Sequence, residues 1–192
     1  MEVICELTEL SSRWSGRLEL VLDADFKGKK PFRCDILLDA TLATQQERWS
    51  TLIHEALHSL SAGYLRDDYQ DFQGWEEGVV EKLQRLLRPQ VLTRLGVNIP
   101  EATFLPMDEG HSYNDFITAL ESLRQIVGIS DAISDVQEFY VHLLSTPIRN
   151  RPALLLSLGM KLQGEARRQF ITLFASANAA LRTRRPQGNL TP

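Results

Sequence analysis

The sequence predicts an α+β fold, a small N-terminal mixed sheet followed by a mostly helical remainder. Three observations carry this. Two short runs of apolar and branched residues precede residue 40, a helix-start signature stands at Thr44, and helical spacing recurs almost continuously from Ser112 to Leu181.

Residues 17–22 (RLELVL) and 32–38 (FRCDILL) read as strands, and DADFKGKKP between them has the turn residues of a hairpin-like connection. Residues 3–7 are a candidate third strand. Thr44-Gln-Gln-Glu47 matches a capping box, in which the threonine hydroxyl takes one free amide and the glutamate reaches back to another. The helix it opens is expected to run to Ala62 and stop at Gly63. Trp49, Leu52, Ile53, Ala56, Leu57 and Leu60 form its apolar stripe, with His54 and His58 on the opposite side.

Residues 63–74 form a polar, acidic connection, in which Asp67, Asp68 and Asp71 read as a solvated charge run. A second helix is expected over 75–87, with Val79, Val80, Leu83, Leu86 and Leu87 buried, Pro89 interrupting it and Gly96 ending any continuation. Residues 97–110 read as a long loop. Helices follow over 112–127, 130–145, 152–162 and 165–181, and 183–192 is expected to be a flexible tail.

The 192 residues suffice for one domain, or one with a helical appendage. With 24% charged residues and a net charge of -4 there is no basic footprint, so neither nucleic acid nor an anionic membrane is an expected partner. The opening MEVICELTEL is too acidic and broken for a secretory signal, and no apolar run approaches the roughly 18 residues of a membrane span. A cytoplasmic protein is expected. Cys5 and Cys34 lack CxxC spacing and are expected to be structural free thiols.

The chemistry concentrates in IHEALHSL, residues 53–60. On a helix, His54 and His58 stack one turn apart and can aim two imidazoles at one point, with Glu55 turned toward the same cleft: the HExxH pattern. A catalytic zinc takes three protein ligands and keeps a fourth position open for water. The metzincin continuation, HExxHxxGxxH, fails because Ser61 and Tyr64 stand at its glycine and last histidine.

GWEEGVVE resembles the glutamate-helix signature of the aminopeptidase-N-like and thermolysin-like gluzincins, in which an E-G pair follows HExxH after eighteen residues. Here residues 59–76 intervene and Glu77-Gly78 follows. The resemblance spans about residues 35–87, extending weakly to Tyr113. It implies a zincin-like fold with an active-site helix and a glutamate helix, and one Zn2+ per chain held by His54, His58 and Glu77. It makes Glu55 the general base, with Glu76 a competing ligand. Glu77 and Glu81 lie one turn apart and can both face the histidine helix. Glu81 stands where related enzymes hold a carboxylate against a ligating imidazole, although pairing with Arg85 at the surface is the alternative.

Gluzincins also draw a residue from a downstream helix to stabilise the tetrahedral oxyanion. EGHSYNDF offers Tyr113, the favoured choice, and His111. Tyr140 reads as a core tyrosine and His142 as a surface histidine. Zincins bind extended substrate along an edge strand, here expected at Cys34 to Ala40. No GxMEN-like stretch precedes HExxH, so endopeptidase action on a peptide or protein substrate is preferred to aminopeptidase action. The expected organisation is a catalytic core over 1–110, a helical C-terminal subdomain over 111–182, and the tail. The rival expectation is a silent or latent zincin-fold regulatory protein holding a structural zinc, with a regulatory protein partner.

Overall fold

The computed structural model describes residues 1–31, 35–128 and 135–182. They form a mixed α+β protein. Along the chain come α1 (Glu2–Thr8), β1 (Leu18–Val21), β2 (Gly28–Lys29), β3 (Ile36–Asp39), α2 (Arg48–His58), α3 (Arg66–Asp71) and α4 (Gln73–Arg94). Then follow α5 (Leu105–Glu109), α6 (Asn114–Val127), α7 (Val136–Ser145), α8 (Arg151–Gly159) and α9 (Gly164–Leu181). The described residues divide into two compact units, one of residues 1–61 and 83–112, the other of 62–82 and 113–182. The segment 62–82 thus clusters with the helical C-terminal half.

In the first unit, residues 3–7 are helical rather than a strand. Ile4 packs inward at 4% exposure, and the Thr8 hydroxyl donates to the Ile4 carbonyl at 2.8 Å, a bond made within a helical turn. The sheet has the order β1-β3-β2. β1 pairs β3 in parallel, with Leu18 opposite Ile36, so the two long apolar runs are not the arms of a hairpin. The hairpin is made instead by β2, which pairs β3 antiparallel with Gly28 opposite Leu38. A parallel pair needs a crossover of a dozen or so residues, and the connection after β1 is long enough to lay down β2 on its way.

The helix signature at Thr44 is realised differently. Asp39 accepts from the Thr41 amide at 2.9 Å and its hydroxyl at 2.7 Å, opening a 3-10 turn (Ala40–Thr44) that uses Thr44 as its last residue. α2 therefore starts at Arg48 with no side-chain cap, and the Glu47 carboxylate pairs with Lys27 instead. It ends at His58, short of Ala62, where the Arg13 amide takes the Ser59 carbonyl at 2.9 Å.

Pro89 does not interrupt α4. The preceding residue, Arg88, is fully buried and clamped in helical conformation by Ser50, Glu101 and Asp108, with its guanidinium 4.2 Å from the Phe104 ring centroid. Those bonds outweigh the cost of proline within a helix, which is about 3 kcal/mol. The helix ends as expected at Gly96, in the left-handed region at φ 68, with Val97 N donating to Leu92 O at 2.9 Å and Gly96 N to Thr93 O at 3.1 Å. The predicted loop over 97–110 is ordered into a 3-10 turn (Glu101–Thr103) and α5, held by the same Arg88 through Glu101 and Asp108.

In the second unit, the acidic connection contains α3, and the first turns of α4 pack against α6. Gly74 and Gly78 make this possible: a Cβ on Gly78 would lie 2.9 Å from Leu120, and one on Gly74 would lie 2.8 Å from Phe116. The four helices expected from spacing appear as α6 to α9. Asp135 caps α7 by accepting from the Glu138 amide at 2.8 Å. Residues 130–134 of the helix expected over 130–145, the tail over 183–192 and Cys34 lie outside the described residues. Cys5 is a free thiol in α1 rather than in a strand. Among the described residues no helix is long and apolar enough to cross a membrane.

Candidate metal centre

The geometry begins at Ser50, in the first turn of α2. Its hydroxyl accepts from the Gln84 amide and, at 3.0 Å, from Arg88 Nη1, which fastens α2 to α4 inside the first unit. His54 and His58 lie one and two turns further along α2, and Glu77 lies about two turns back along α4 from Gln84. His54, His58 and Glu77 each offer a ligand atom, and those atoms lie within 4.8 Å of one another.

The histidines fit a cation. Nε2 of His54 stands 3.2 Å from Nε2 of His58, with the rings edge to face at 77°. Two neutral imidazole nitrogens so close repel through their lone pairs unless a proton or a cation lies between them. A tetrahedral zinc with bonds of about 2.0–2.1 Å would separate them by about 3.4 Å. With one carboxylate added, the set is a two-histidine, one-glutamate donor group, and its neutral imidazoles and single anion suit a divalent ion.

Glu77 is only 3% exposed. Its Oε1 accepts from the Tyr69 hydroxyl, and that oxygen in turn accepts from Gln73 Nε2 at 3.3 Å. Burial first, and then the negative charge of Glu77, push the Tyr69 phenol far above its usual range, so it stays protonated as a donor. Glu76 is engaged elsewhere. Its carboxylate meets Arg151 Nη1 at 2.8 Å, both side chains being fully buried, and the same nitrogen donates to the Trp75 carbonyl at 2.9 Å. Glu81 is buried at 4% exposure rather than displayed at the surface, and Arg85 pairs with Asp108 at 3.7 Å.

Glu55 is 7% exposed and lies beneath β2: a Cβ on Gly28 would come within 2.9 Å of its Oε1 and would also collide with Thr51. Only glycine lets the strand pass so close. The expected edge strand, Cys34 to Ala40, is not an edge over its described part, because β3 has β1 on one flank and β2 on the other. The edge strand next to Glu55 is β2.

Tyr113 is the N-cap residue of α6, its ring stacked 5.9 Å from Phe116 and near enough to Tyr69 to add to the raising of the Tyr69 pKa. His111 is half-buried in the turn after α5, its amide donating to the Asp108 carbonyl at 3.4 Å. Tyr140 is a core tyrosine that donates to Glu121 at 2.8 Å, and His142 is exposed. Of the acidic run, Asp68 pairs with Arg149 at 3.5 Å. Sequence reasoning missed Tyr69, Gln73 and Arg151. The first two sit in or beside a stretch whose polarity reads as a loop, and Arg151 is far along the chain from Glu76. No protein-family model, curated protein or solved structure matches this chain.

Proposed function

We propose that the chain is a gluzincin-like, zinc-dependent peptidase that hydrolyses peptide bonds of a peptide or protein substrate, with endopeptidase action preferred. The observation behind this is the pair of imidazole nitrogens 3.2 Å apart, with the Glu77 carboxylate grouped beside them. In this reading His54, His58 and Glu77 hold one zinc ion. When bound, zinc supplies Lewis acidity, lowering the pKa of a water toward about 7 and polarising the scissile carbonyl.

The chain's own residues do the rest. Glu55, next to a ligand in sequence but not itself one, takes the proton from the attacking water and delivers it to the departing amine nitrogen. Glu81 orients an imidazole, and Tyr113, or His111 in its place, donates to the oxygen on which negative charge develops.

A second reading has an observation of its own. Glu55, His58 and Glu77 are 7%, 3% and 3% exposed, which suits a latent or silent zincin-fold protein with a structural zinc and a regulatory partner.

One experiment separates the readings. Zinc content and cleavage of a quenched-peptide library are measured on the full chain and on Glu55→Gln. The peptidase reading expects one zinc per chain in both proteins and chelator-sensitive cleavage in the wild type alone. Wild-type protein that binds no zinc, or Glu55→Gln that still cleaves, overturns it. Zinc without cleavage in the wild type favours the regulator.

A further inference from the structure

We infer that Tyr69, aligned by Gln73, is a positioning residue for the metal ligand Glu77, holding its carboxylate so that it meets a divalent ion through a single oxygen. The inference rests on the metal-site reading above and adds a residue which that reading does not use.

The three side chains lie within one stretch of chain, on α3 and the opening turns of α4. Tyr69 is 8% exposed, Gln73 6% and Glu77 3%, so the bonds among them are made away from bulk water. Their direction follows from donor chemistry. An amide NH2 can only donate, so in the Gln73 Nε2 contact the Tyr69 oxygen is the acceptor, at 3.3 Å. The phenol's single hydrogen is then directed to Glu77 Oε1. A hydrogen bond to an ionised carboxylate is stronger than one between neutral groups and is strengthened further where water is excluded.

A carboxylate bound in this way has two properties that matter to a metal. Its side chain is locked in one orientation before any ion arrives, which removes part of the ordering cost of binding. Its Oε1 also shares electron density with the phenol, which weakens that oxygen as a donor and disfavours two-oxygen coordination. Single-oxygen binding keeps the coordination number low and leaves room for a water. Tyr69 touches neither the ion nor a substrate in this arrangement, so its role is to position, not to react.

The test uses the full chain with zinc and then Co2+ as the probe ions. Zinc affinity is measured by competition with a chromophoric chelator, and the Co2+ visible bands report coordination number, since their intensity falls as coordination number rises. Tyr69→Phe is expected to lower zinc affinity by about 10- to 100-fold, in line with the loss of other groups that hold metal ligands. Its Co2+ bands are expected to weaken as Glu77 coordinates through both oxygens. A merely structural role would leave those bands unchanged in the folded protein. Gln73→Leu, which keeps the phenol, is expected to shift both readouts the same way by a smaller factor, and serves as the test should Tyr69→Phe fail to fold. Wild-type affinity and wild-type Co2+ bands in the folded variant overturn the inference. Wild-type protein that takes up neither ion overturns the metal-site reading itself, which distinguishes the two failures.

Discussion

Replacing Arg151 with methionine tests the electrostatic arrangement behind the glutamate helix. Arg151 and Glu76 are both fully buried and 2.8 Å apart, and Arg151 also donates to the Trp75 carbonyl at 2.9 Å and, through Nε, to the Thr146 carbonyl at 3.2 Å. Burial lowers the pKa of Arg151, while the Glu76 charge and hydrogen bond oppose that shift. Methionine fills much of the volume but leaves a carboxylate in the interior without a cation. Breaking one side of such a pair costs about 3–5 kcal/mol. In a protein of this size that corresponds to a fall in Tm of roughly 7–12 °C.

The double variant Glu76→Leu with Arg151→Met removes both charges, and its stability is expected to return to within about 1–2 kcal/mol of wild type, because an apolar replacement of a whole buried pair is often neutral. The assay is urea unfolding followed by circular dichroism, with chelator present so that metal does not contribute. A single variant that loses less than about 1 kcal/mol would refute the reasoning, since a pair with so small a cost is not one shielded from water.

Two further perturbations bear on the site and its surroundings. Gly28→Ala places a methyl group against Thr51 and Glu55, and is expected to cost about 1–3 kcal/mol of stability and to reduce peptide hydrolysis while zinc content stays at the wild-type level. Full activity in that variant would mean that β2 does not confine the carboxylate. The second perturbation is acid. Burial by itself would raise the Glu121 pKa, but hydrogen bonds from Arg124 and Tyr140 and the charge of Lys82 outweigh it and hold the carboxyl below the usual glutamate range. A carboxylate with a depressed folded pKa adds stability above its unfolded pKa and loses it as pH falls through the folded one. Unfolding curves should therefore weaken progressively below about pH 5, and Glu121→Gln should flatten that dependence; an unchanged slope would count against the network.

The parts of the fold that could be read in advance are those with a local cause. Ile53, Ala56, Leu57 and Leu60 are buried as their spacing requires, and α6 to α9 arise from the same periodicity. The misreadings share a cause of the opposite kind. Thr44 has the right neighbours for a capping box, but Asp39 opens a 3-10 turn that takes Thr44 as its last residue, and the chain is extended at Gln45 before α2 begins at Arg48. Pro89 has every local reason to break a helix and is overruled by Arg88, whose partners lie as far away as Ser50 and Asp108. β1 and β3 fall within or beside the runs 17–22 and 32–38, but their parallel pairing is not written there, because partner and direction depend on where a connection travels rather than on the residues within each strand.

The same division runs through the candidate centre. That His54 and His58 share a helix face, with Glu55 beside them, follows from the pitch of an α-helix and needs nothing beyond the four-residue spacing. Helix pitch alone does not choose between the adjacent Glu76 and Glu77, although the eighteen-residue spacing of the resemblance points to Glu77. The folded chain buries Arg151 against Glu76 and brings Tyr69 to Glu77. Backbone geometry acts over a few residues and is therefore written locally, whereas the partners of a buried charge are chosen by which distant segments pack together.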